Sequence, residues 1–392
     1  MNILSKWARR EEYVAGAVAL LLITTACSGG SVKADSGSGK ASDNIKLGYL
    51  LSLTGVGAQF GNQAQRGADI AVDQANKAGK VHVSVTVQDD QSTATAGVSA
   101  LNQLINTQGI KAVLGPAVSI VGVPVAPIAN RHKVVLLSPW VSAPAFTSEG
   151  GYTLRDHPLI TELEGDLGKY ASTTLGYKKV SVLYNQTPDA TAAAEAFKKA
   201  FTGSGGNIVD NEVVEPGVTD FRSQLTKIAG HETDALYVFL TAGNDVGLAF
   251  KQARSLGIKA HLLAPNVVWS PDFIKSAGSA GEGTTFIAEA FDATSTDPAT
   301  QQFVKEFNAK YHEEPDIVAA NSYDAVNLLL EAIQKVGYDG TAIRDWLHSV
   351  EGYQGIGGKI SFTSTGNVKG KSLSVMTVKD GKFVKIDTVQ AG

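Results

Sequence analysis

The chain has 392 residues and a formal net charge of −4, and it is 43% hydrophobic and 18% charged. That is the balance of an ordinary globular protein, and no basic cluster offers a surface to nucleic acid. One cysteine in the whole sequence excludes an internal disulfide, so a folded body must be held by core burial.

The amino terminus reads first as an address. Lys6, Arg9 and Arg10 precede an apolar run from Tyr13 to Ala26, and the only cysteine, Cys27, follows the small residues Thr24-Thr25-Ala26. A basic start, a short apolar stretch and small residues at its end describe an export signal, too short to span a bilayer comfortably. The arrangement resembles the lipobox of bacterial lipoproteins, with Thr24 where that family usually has leucine. The resemblance implies that residues 1–26 are removed and that Cys27 is acylated, a membrane anchor and not a catalytic thiol. From Ser28 to Asp43 the sequence SGGSVKADSGSGKASD has almost nothing to bury, so residues 27–44 read as a flexible tether. After residue 26 no apolar run approaches a membrane span.

About 350 residues follow, more than one core usually supports, which predicts two domains. The helical spacing of Ile70, Ala71, Ala75 and Ala78 predicts a helix from Ala64 to Ala78, stopped at Gly79. Val81 to Val87 alternates valine with polar residues, the pattern of a half-buried strand. A second helix carries Val98, Leu101, Leu104 and Ile105 and closes at Gly109. Ala112–Leu114 and Val134–Leu137 are continuous apolar runs, suited to parallel strands covered on both faces. The alternation resumes beyond Arg155–Pro158. Strands are predicted at 180–184, 208–214, 235–240 and 261–264, with helices at 190–200, 221–228 and 246–256. The tail from Gly357 to Ile386 is β-rich. Repeated βα units imply an α/β fold, two similar lobes with parallel sheets and right-handed crossovers. Such sheets bind ligands outside the carboxyl ends of their strands, so two facing lobes would enclose one cleft.

The order of motifs adds a family. Ile45-Lys46-Leu47-Gly48, then Leu53-Thr54-Gly55 through Gln59-Phe60-Gly61, Arg66-Gly67-Ala68, Asp89-Asp90, Gly115-Pro116 and Leu137-Ser138-Pro139 follow in sequence. Lys251 to Gly257, Gly281-Glu282-Gly283 and Tyr323-Asp324-Ala325 come later. From about Ile45 to Phe362 the chain resembles the substrate-binding proteins of branched-chain amino-acid ABC importers, the leucine/isoleucine/valine-binding family. The resemblance implies a type I periplasmic-binding fold of two Rossmann-like lobes with a hinge. One lobe would comprise residues 45–156 and 290–358, the other residues 157–289 and 359–392. It implies a monomer that needs no cofactor or metal, hands a small carboxylate to an ABC permease and ATPase, and is not an enzyme.

Site residues follow residue by residue. Ser119, in Gly115-Pro116-Ala117-Val118-Ser119, falls on the family's carboxylate-binding serine, just before a helix predicted to begin near Pro124, where free N–H groups attract anions. Ser142, in Ser138-Pro139-Trp140-Val141-Ser142, falls on a second hydroxyl residue, with Val141 beside it. Phe60 falls on the aromatic that flanks the side-chain pocket, and Trp140 on a position that is small in the leucine binders, where it reshapes the pocket or fills a core. Opposite them the sequence departs from the family. Asp189 and Asn266 stand where the family has a tyrosine and the glutamate that pairs with the ligand ammonium, and Thr241 or Ala242 stands near a second tyrosine. Asp189 either replaces the missing counter-ion or only caps a helix, in which case the ligand lacks an amine. Seven scattered histidines and the absence of HExxH, GxSxG, Walker and GxGxxG patterns speak against catalysis. A ligand sensor on the same fold is the remaining alternative.

Overall fold

A computed structural model describes residues 44–289 and 291–389. Cys27, the signal and all of the tether but its last residue lie outside the described residues. Among the described residues no helix is long and apolar enough to cross a membrane.

The first half alternates β1 (Asn44–Leu51), α1 (Ala58–Ala78), β2 (His82–Asp89), α2 (Ala94–Asn106), β3 (Ala112–Leu114), α3 (Ser119–His132), β4 (Val135–Ser138) and β5 (Thr153–Arg155). The second continues with α4 (Ile160–Thr173), β6 (Lys179–Asn185), α5 (Pro188–Gly203), β7 (Asn207–Val214), α6 (Arg222–Ala229) and β8 (Ala235–Phe239). It then adds α7 (Gly243–Ser255), β9 (His261–Leu263), α8 (Pro271–Ala277) and β10 (Thr285–Glu289). Three helices follow, α9 (Pro298–Tyr311), α10 (Ile317–Val336) and α11 (Gly340–His348). The chain ends in β11 (Tyr353–Gly355), β12 (Gly358–Phe362), β13 (Val368–Lys369), β14 (Leu373–Lys379) and β15 (Lys382–Val389).

Two sheets organise these elements. The first has the order β2-β1-β3-β4-β5, all parallel. The second runs β15-β14-β10-β9-β8-β6-β7, and its parallel part, β6 to β10, has the same winding as the first sheet. Strands covered on both faces must be apolar throughout, and β3, β4 and β8 are buried at every position. The β-rich tail does not extend that parallel pattern. β14 pairs antiparallel with β10, and β15 with β14, closing one edge of the second sheet. Helices α10 and α11 return to the first sheet, α10 against α1 and both against β4. A Cβ on Gly67 would lie 2.0 Å from the Ala319 carbonyl oxygen, so glycine is what lets α1 and α10 touch.

Two helix starts differ from the sequence expectation, and both matter for the site. Helix α1 begins at Ala58 rather than Ala64, which puts Phe60 in its first turn. Gly61 breaks the apolar spacing there, yet a Cβ at this position would lie 2.0 Å from the Ser52 carbonyl oxygen. Helix α3 begins at Ser119 rather than near Pro124, and both Pro124 and Pro127 lie inside it. Proline favours the first helical position, which is why Pro124 reads as a start. In the structure the Val118 carbonyl already accepts the N–H of Val121 and Gly122, so the first turn closes ahead of the proline.

Candidate functional site

In a doubly wound sheet the crevice opens where the strand order reverses. For the first sheet that point lies between β1 and β3, and for the second between β6 and β8. The loop after β1 leads to Phe60 and the loop after β3 to Ser119. Those after β6 and β8 carry Asp189 and Thr241. One space is lined by Phe60, Ser119, Trp140, Ser142, Asp189, Thr241 and Asn266. The winding of the two sheets therefore brings together seven of the residues that the sequence singles out. Val141 is the exception. It is fully buried and does not line the space, and its carbonyl accepts the Arg155 guanidinium at 3.0 Å.

The first-sheet wall is built from donors. The Ser119 Oγ accepts the N–H of Ser142 at 3.4 Å and of Ala143 at 3.2 Å, tying the two loops together. Ser119 and Ile120 stand in the first turn of α3, where N–H groups have no partner within the helix, and both line the space. Gly115 lets the loop come this close, since a Cβ there would lie 2.1 Å from the Leu50 carbonyl oxygen. Beside these donors stands an aromatic stack. The rings of Phe60 and Trp140 lie 5.6 Å apart and those of Trp140 and His157 4.1 Å apart, all three lining the space. Trp140 is thus both buried and part of the wall, filling both of the roles the sequence left open.

The opposite wall is different in kind. Thr187 caps α5 by accepting the Ala190 N–H and donates its own proton to Asn185, whose amide donates to Thr241 at 2.8 Å. Thr187 holds the cap position, and Asp189 stands inside the first turn. Burial pushes the Asp189 carboxyl above its ordinary value, and nearby N–H groups at the start of α5 offset this only in part. Among the described residues no lysine or arginine lines the space, and its titratable groups are Asp189 and His157. Asn266 is 3% exposed, and its Nδ2 has no partner among the described residues.

His157 is the lining residue that sequence reasoning missed. It reads as one of several scattered histidines, and the available signal was its place in the Arg155–Pro158 junction between the two βα runs. Its Nδ1 bonds Glu289 at the end of β10. Glu289 also meets Lys371, 3.2 Å away, and Lys371 lies 2.8 Å from Asp156 and 2.7 Å from the Asn321 side-chain oxygen. The segments after β5, at the end of β10 and before β14 thus share one solvent-free ionic cluster. Burial would push the Glu289 carboxyl up, but Lys371 and His157 outweigh it and hold it below its ordinary value. Asp156 is pushed up to about 8 by burial, against the pull of Lys371. Among the described residues no cluster of His, Cys, Asp and Glu could hold a metal ion.

Known proteins match this architecture. The chain is 28% identical over 350 residues to the Leu/Ile/Val-binding protein homolog 3 of Brucella melitensis, covering 88% of this chain and 94% of that one. The substrate-binding protein LivJ of Streptococcus pneumoniae, solved with isoleucine, superposes with a TM-score of 0.82 at 27% identity, over 88% of this chain and 99% of that one. The leucine-binding protein LivK of Thermotoga maritima gives 0.83 at 26% identity, over 88% and 98%. With the periplasmic binding protein family matching residues 44–382, the chain belongs to that family, on its type I architecture.

Proposed function

We propose that this protein is the extracytoplasmic solute-binding component of an ABC importer, capturing an amino acid of branched-chain size or a related small carboxylate. One observation carries the reading: the switch points of two identically wound sheets face a single space, with anion donors on one side and an unbalanced carboxyl on the other. The α3 N-terminus, Ser119 and Ser142 would receive the solute carboxylate, since an anion at a helix start gains from free N–H groups and the helix dipole. Asp189 would receive its ammonium, with Thr241 beside it. Phe60 and Trp140 would pack on the side chain.

The two lobes, residues 45–156 with 290–358 and residues 157–289 with 359–392, would close about the crossing segments. A solute shifts that equilibrium only by preferring the closed form, and the closed form is the one a permease and its ATPase would engage. Cys27 would carry the lipid anchor. Fatty-acid labelling should mark the wild type and not Cys27→Ser, and an unlabelled wild type removes the lipoprotein reading.

The function is tested by a thermal-shift screen of the mature chain against amino acids, aromatic acids and amides, because a ligand of the folded state raises its stability. Amino acids are expected to raise the melting temperature. Stabilisation by an aromatic acid alone would replace the amino acid with an amine-free solute.

A further inference from the structure

The cleft holds two polar atoms that the carboxylate and ammonium of an amino acid leave unused. His157 is 1% exposed, its ring is held against Trp140, and its Nδ1 is committed to Glu289. Glu289 is fixed in turn by Lys371 and by the Asn321 amide at 3.2 Å, so the imidazole cannot turn without breaking a buried cluster. An imidazole whose Nδ1 is bonded to a carboxylate has one hydrogen-bonding atom left, Nε2. No described residue bonds Nε2, and the ring lines the cleft. Asn266 supplies the second atom. It lines the same space and its Nδ2, a donor, is buried without a partner. The remaining lining around them is mostly apolar, including Phe60, Trp140, Ile160, Phe239 and Val267.

Leaving a buried polar group unpaired is costly, and a site built around such groups rejects a ligand that cannot satisfy them. A wholly aliphatic side chain would seal both atoms off from water and give them nothing. A hydroxyl or carboxamide both donates and accepts, so it can pair with the Asn266 amide donor and with Nε2 of His157 in either of its hydrogen-bonding roles. We propose that His157 and Asn266 read a hydrogen-bonding group on the solute's side chain, so that the preferred solute is a hydroxyl- or carboxamide-bearing amino acid and not leucine, isoleucine or valine. This rests on the amino-acid reading given above. Glu289 acts as a positioning residue, fixing which nitrogen of His157 meets the solute.

Isosteric pairs test it. Calorimetry on the mature chain should show threonine binding at least about 100-fold tighter than valine, and asparagine at least about 100-fold tighter than leucine, a conservative figure for a site built to pair a polar group. Asn266→Leu removes an amide whose Nδ2 has no partner, so the fold should survive and the asparagine-over-leucine ratio should fall at least about tenfold. His157→Gln keeps a polar side chain beside Glu289 and should erode the threonine-over-valine ratio. Valine within a few-fold of threonine and leucine within a few-fold of asparagine would overturn the inference while leaving the amino-acid reading standing. An unchanged ratio in Asn266→Leu would overturn the role of Asn266. Binding of none of the four would overturn the amino-acid reading and this inference with it.

Discussion

The two walls of the cleft stand on sheets of the same winding, yet they do different chemistry. The first-sheet wall presents hydroxyls and main-chain N–H groups, which any carboxylate satisfies whatever the rest of the solute is. The second-sheet wall presents individual side chains, Asp189, Thr241 and Asn266, whose identities would select one ligand over another on the function proposed above. A main-chain donor is the same for every residue type, so the first wall tolerates sequence drift. The second wall would change its specificity with each substitution, and the sequence departs from the family it resembles there as well as at Trp140.

Substitutions can break this contrast, beginning with the charge on the second wall. Removing one member of a desolvated ion pair costs about 3–5 kcal/mol. Asp189→Asn should therefore lower amino-acid affinity by more than about 100-fold by calorimetry while the protein melts normally. A mutant within a few-fold of wild type would remove the counter-ion role. On the first wall, Ser119→Ala removes one hydrogen bond to a charged group, about 1.5–3 kcal/mol, and should weaken every carboxylate ligand alike by roughly 10- to 100-fold. A loss confined to one ligand would mean that the first wall is selective too.

Val141 separates packing from binding. It is buried behind the first wall and does not line the cleft. Val141→Ala should lower stability by about 1–2 kcal/mol in denaturant titrations, through lost burial and a small cavity, and leave affinity unchanged.

A pH dependence of stability is also expected, rooted beneath the second wall. Glu164 on α4 is buried, with the Tyr237 hydroxyl at 2.9 Å as its only hydrogen-bond partner among the described residues, and burial pushes its carboxyl from 4.5 up to about 8. The folded state then holds this proton where the unfolded state has lost it. Its contribution is complete below about pH 4.5 and declines as pH rises towards about 8. Glu164→Gln should flatten the fall in melting temperature across that window, and an unchanged profile would assign the dependence elsewhere.

Alternating apolar runs and helical spacings in the sequence determine the repeated βα units, because strands covered on both faces and amphipathic helices have different periods. The same patterns miss the true starts of α1 and α3, where Gly61 and Pro124 interrupt the expected pattern for reasons that lie in other segments. Local sequence, with the family resemblance, also marks Ser119, Ser142 and Asp189, since each lies close after a strand, in a loop or the first turn of the helix that follows. What only the tertiary structure decides is convergence. His157, Glu289 and Lys371 are more than 200 residues apart end to end and meet because three segments pass between the sheets at one place. Val141 and Ser142 are neighbours in the chain, yet only Ser142 reaches the cleft, while Val141 is buried in the core. Spacing along the chain carries the periods of the elements. Which side chain faces the solute depends on how the sheets are wound against each other, and the chain order does not hold that information.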